Sequence, residues 1–107
     1  MNDRPQLAAP GAILPDQPPT TPGEGDVWRE LIDAAGPAHP DLVPLMEERR
    51  RLGISRYGTP LQRANGRDHR ADAAQELLDA AVYLWAAGEP VTAFAMLVHL
   101  DEIRGRM

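Results

Sequence analysis

The chain of 107 residues has no cysteine, no lysine and a single phenylalanine. Without cysteine it can form neither a disulfide nor a thiolate metal site, which agrees with a reducing compartment. No stretch approaches the roughly 20 apolar residues of a membrane span. The basic start and apolar run of a secretory leader are also missing. A cytoplasmic protein without a membrane partner is therefore expected. All eleven basic residues are arginine. The guanidinium fork suits phosphate or carboxylate recognition, although codon bias in a GC-rich genome produces the same pattern. The net charge of −5 argues against a general nucleic-acid binder, which carries a basic excess.

Proline, by contrast, is plentiful and uneven. Six of the eleven prolines fall within the first 22 residues. With almost no apolar periodicity, residues 1–25 read as a disordered Pro-rich tail. Residues 26–107 then form one small domain. Its hydrophobic spacing predicts an all-α bundle of four helices, completed by oligomerisation into a homodimer or tetramer because so short a chain buries a modest core.

The first helix is expected over Asp26 to Ala35, capped by Asp26, with Val27, Leu31 and Ala34 on one side and Trp28 and Ile32 beside them. A second starts near Asp41, as cap, and ends at Gly53, with Leu42, Leu45, Met46, Arg49 and Leu52 as its inner stripe. A loop from Ile54 to Arg67 follows, its Asn65-Gly66 read as a turn rather than a hairpin. The third helix spans Asp68 to Ala87. The fourth, Val91 to Arg104, is apolar around much of its circumference, as a helix buried on several sides would be.

Chemistry concentrates where the loop meets the third helix. Asp72, Glu76 and Asp79 share a narrow sector of that helix, opposite its apolar stripe. They form either a solvated face or a carboxylate cluster for a hard cation, Mg²⁺ with Mn²⁺ as alternative. Glu48, at the edge of the second helix's stripe, could add a fourth carboxylate, while Glu47 faces farther out. Arg56, Arg63 and Arg67 could pair with phosphates, Tyr57 could stack on a base, and Asn65 could read a base or ribose edge. Each also has a structural reading, such as Arg67 pairing with Asp68 or Tyr57 capping the core. His99 reads as a packed histidine rather than a ligand.

Glu48, a loop, and then Glu76-Leu77-Leu78-Asp79 resemble the MazG-like all-α nucleoside triphosphate pyrophosphohydrolases, with their E-x-x-E and E-x-x-D motifs on successive helices. The run Arg56-Tyr57-Gly58-Thr59-Pro60-Leu61-Gln62, followed by Asn65-Gly66-Arg67-Asp68 and Gln75-Glu76, is similar to small MazG-like proteins of actinobacterial phages and prophages. The resemblance implies an oligomeric bundle that cleaves a (deoxy)nucleoside triphosphate to the monophosphate and pyrophosphate, in the host cytoplasm if phage-encoded. Glu48, Glu76 and Asp79 would be catalytic and hold Mg²⁺, with Asp72 adding a ligand. The first motif departs from the pattern, since Leu45 and Arg51 stand three residues either side of Glu48. A protein that binds and sequesters a nucleotide without cleaving it is the alternative, and a structural helical oligomer a third.

Overall fold

The computed structural model describes Leu14 and residues 16–107. These residues form four α-helices: α1 (Val27–Ala35), α2 (Val43–Tyr57), α3 (His69–Ala86) and α4 (Pro90–Arg104). A 3-10 turn at Pro40–Leu42 leads into α2. Among the described residues the one extended pairing is an isolated antiparallel bridge between Glu24 and Arg63. The all-α architecture follows the sequence reading. The described residues divide into two compact units, one of Pro19–Gly66 and one of Arg67–Met107 together with the described residues before Pro19.

In the unit Pro19–Gly66, α1 begins as expected, with Asp26 Oδ1 accepting from the Arg29 backbone N–H at 3.0 Å. Of its expected apolar side, Ile32 is buried and Val27 and Trp28 are half-buried, while Leu31 and Ala34 are exposed. The helix α2 departs further from its expected face. Val43, Met46, Glu47, Arg50, Gly53 and Ile54 are the partly buried positions, while Leu42, Leu45, Arg49 and Leu52 are exposed. Ion pairs to α1 account for this choice. Arg29 Nη2 donates to Glu47 Oε1 at 2.8 Å, and Arg50 Nε donates to Asp26 Oδ2 at 2.8 Å. Apolar spacing alone pointed to Leu45 and Leu52. The charged partners turn the helix the other way, and Glu47 faces α1 instead of solvent.

Two boundaries also differ from expectation. Asp41 caps nothing; it lies inside the 3-10 turn, and α2 starts without a side-chain cap. Gly53 does not end α2, which continues to Tyr57 and stops at Gly58, φ 84°. A left-handed C-terminal residue is what glycine supplies at low cost, and Gly58 rather than Gly53 occupies it. Arg56 and Tyr57 are consequently the last turn of a helix and not part of a loop.

The segment from Gly58 to Gly66 returns along Thr21 to Val27. The Thr21 N–H donates to the Asn65 carbonyl at 2.7 Å, Glu24 and Arg63 exchange backbone bonds, and the Val27 N–H reaches the Leu61 carbonyl at 2.9 Å. Of the expected tail, residues 1–13 and 15 lie outside the described residues. The remainder up to Gly25 carries these specific bonds, so the folded part starts before Asp26. Prolines 18, 19 and 22 suit that course, because a pre-extended backbone has less freedom to lose.

The second unit is a helical hairpin. Asp68 caps α3, its Oδ1 accepting from the backbone N–H groups of Arg70 and Ala71. A short turn with Gly88 at φ 79° reverses the chain into α4. Ala71, Ala74, Ala81 and Ala93 are the buried apolar residues, small side chains that let the two helices approach closely. Trp85 and Phe94 meet near the turn, ring centroids 5.8 Å apart and tilted by 56°. The larger apolar side chains flank this seam instead of filling it.

Candidate functional site

The acidic face of α3 is not uniform. Asp72 lies in the first turn, where the helix N-terminus favours a carboxylate. Arg67, just before the helix, grips it with both arms: Nε donates to Oδ2 at 3.0 Å and Nη2 to Oδ1 at 2.7 Å. Arg67 Nη1 also donates to the Pro18 carbonyl at 2.7 Å. A bidentate, charge-assisted pair of this kind is among the stronger polar contacts. The sequence suggested Asp68 as the partner of Arg67; the structure gives Asp72. One expected metal ligand and one expected phosphate contact are thus engaged with each other.

Glu76 and Asp79 differ. Both are exposed, they stand one helical turn apart on the same side of α3, and among the described residues neither joins an ion pair. Like charges at this spacing repel, and a cation relieves the repulsion.

Glu76 also lines an open groove of about 660 Å³ on one flank of the hairpin. Ala73, Leu77, Ala80 and Ile103 make its apolar floor, while His99, Glu102 and Arg106 add polar groups from the α4 side. His99 is exposed and its Nδ1 lies 3.6 Å from Glu102 Oε1, so it is not the packed histidine its apolar neighbours suggested. The sequence reading missed Glu102 and Arg106 and set His99 aside as packed. Their i, i+3 and i+7 spacing was the available signal, obscured by the apolar residues between them.

The other expected ligand contacts belong to the unit Pro19–Gly66. Arg63 is paired with Glu30, its Nε donating to Oε1 at 3.1 Å, and the Glu30 carboxylate raises the Arg63 pKa above its usual value. Asn65 is buried, with its backbone carbonyl held by Thr21. Arg56 and Tyr57 are exposed at the end of α2, and Glu48 is exposed in its middle. The same unit holds a charge network invisible to local spacing. Burial pushes the Asp26 carboxyl up, but the Arg29 N–H and the Arg50 guanidinium outweigh it and hold the group below its ordinary pKa. Glu47 correspondingly raises Arg29.

Whether these residues suit Mg²⁺ turns on how many carboxylates converge. Among the described residues no group of three or more His, Asp or Glu side chains is placed to hold a metal ion. Mg²⁺, however, commonly keeps several waters and is bound by one or two carboxylates together with substrate phosphates. The open Glu76–Asp79 pair fits that mode, in which the nucleotide delivers much of the coordination, and does not form a closed protein cage.

No protein-family model, curated protein or solved structure matches the chain.

Proposed function

We propose that this protein binds a (deoxy)nucleoside triphosphate or related nucleotide through Mg²⁺ on Glu76 and Asp79, as a homodimer or tetramer, and hydrolyses it to the monophosphate and pyrophosphate. The observation that carries the reading is the division within the acidic face. Asp72 is neutralised by Arg67, while Glu76 and Asp79 stay exposed and Glu76 lines a groove. The resemblance of Glu76-Leu77-Leu78-Asp79 to the E-x-x-D motif supports the same two residues. Bound Mg²⁺ would neutralise phosphate charge and lower the pKa of a nucleophilic water. Of the residues expected to meet phosphate and base, Arg56 and Tyr57 are exposed. Arg63, Arg67 and Asn65 would hold the surrounding chain in place unless a ligand draws the arginines from Glu30 and Asp72.

A second reading is favoured by the incomplete first motif, with Leu45 and Arg51 where acids would stand. In it the same residues bind a nucleotide without turnover. A panel of nucleoside triphosphates, each with and without Mg²⁺, separates the two by pyrophosphate release and thermal shift. Turnover lost in Glu76→Gln and Asp79→Asn supports the hydrolase. A Mg²⁺-dependent shift without pyrophosphate supports the binder. If no nucleotide moves the melting temperature, both readings fail and the helical oligomer remains.

A further inference from the structure

We infer that two copies of this chain associate through one flank of the α3–α4 hairpin, along Leu78, Val82 and Trp85 of α3 and Phe94, Leu97 and Val98 of α4. The inference rests on the oligomeric part of the reading above and names the surface responsible. All six side chains are large and apolar, yet between 37% and 62% of each is exposed. On α3, the three occupy about 60° of the helix circumference at 100° per residue. The buried alanines separate them from the Glu76 groove, which lies on the opposite flank. The Trp85–Phe94 contact joins the two rows at the turn end.

The size of the patch favours a partner over water. For side chains of these types, the exposed fractions sum to roughly 600 Å² of apolar surface. That reaches the upper end of what a monomer carries and approaches the ~800 Å² each partner brings to a standard interface. Val91, 82% exposed at the same end of α4, enlarges it further.

A second copy is the occupant that fits. The hairpin buries alanines and, among the described residues, no large side chain completely. It is half of a bundle: two such hairpins packed face to face make four helices around a common core. The patch is graded along its length, aromatic at the turn and aliphatic at Leu78. A two-fold axis across it sets the bulky end of one copy over the narrow end of the other, which an isologous contact allows. The six residues carry no charge, so two chains of net charge −5 can meet there, and added salt strengthens the association by screening their mutual repulsion.

Sedimentation of the intact protein over a concentration series tests this. The expected species is two chains of 11.7 kDa each. Val82→Glu and Val98→Glu are each expected to shift it to one chain, with helicity by circular dichroism retained. Should either variant unfold, hydroxyl-radical footprinting of the unmodified protein reads the same surface. Trp85, Phe94 and Val98 are then protected at high concentration and reactive at low. A single-chain mass at every concentration overturns both the inference and the oligomeric reading, and leaves the patch to another partner. A two-chain mass unchanged in both folded variants, or footprints unaffected by concentration, overturns this surface alone.

Discussion

Asp26 does two jobs with one carboxylate. Oδ1 caps α1 and Oδ2 holds Arg50 of α2. Losing an N-cap costs about 0.5–2 kcal/mol, and Asp26→Ala also leaves Arg50 without this partner. The acid dependence follows from the depressed pKa of Asp26. Its stabilisation is complete above the unfolded value of about 3.9 and is lost as pH falls through the folded value. Urea melts at pH 7 and pH 3 should show a loss in the wild type that is smaller in Asp26→Asn. Equal losses in both proteins would remove Asp26 from the account. The caps Asp26 and Asp68 were legible in the sequence because a cap is a local matter of three residues. The Arg63–Glu30 pair was not, since its partners lie 33 residues apart and no spacing rule connects them.

The helices expose a different limit of sequence reading. Their existence came through, because apolar recurrence at helical spacing needs no knowledge of the partner. Their facing did not. In α2 the most apolar stripe, Leu42, Leu45 and Leu52, is exposed, while the face carrying Glu47 and Arg50 meets α1. The two glycines of this region were misassigned for a related reason: glycine signals a helix end only where the backbone turns left-handed. Gly58 has φ 84° and ends α2, whereas Gly53 lies within the helix. Opposite effects follow. A Cβ at Gly53 meets no atom within 4 Å, so Gly53→Ala should stabilise by about 0.5–1 kcal/mol. Gly58→Ala should destabilise by about 1 kcal/mol through its left-handed backbone. Paired denaturant titrations check the signs, and two shifts in the same direction would refute this boundary.

At the scale of the molecule, the candidate site was only half readable. The sequence marked Asp72, Glu76 and Asp79 as one set, yet Arg67, five residues before Asp72 and outside the i+3 and i+4 positions, withdraws the first. The groove beside Glu76 depends on α4, whose polar residues are interleaved with apolar ones. The apolar flank was anticipated only as a helix buried on several sides. If a second copy covers it, stability is linked to association, and the melting temperature rises with protein concentration. Calorimetry over a hundredfold concentration range should show an increase in the wild type and none in Val98→Glu. A flat wild-type series would mean that folding does not draw on a partner.

Gln17 and Pro18 have a consequence of a different order. The Gln17 amide exchanges two hydrogen bonds with the Asp68 backbone, 51 positions away, and Arg67 holds the Pro18 carbonyl. Because Thr21 and Asn65 already close the chain, the clasp orders only the few residues beyond them, at about 1–2 kcal/mol each, while its three solvent-exposed bonds return about 0.5–1.5 kcal/mol each. The clasp is therefore near balance by itself, the last contact to fasten during folding and the first to release. In hydrogen exchange the Asp68 amide should report this as a fast-opening latch, well ahead of the amides around Ala74 and Ala81.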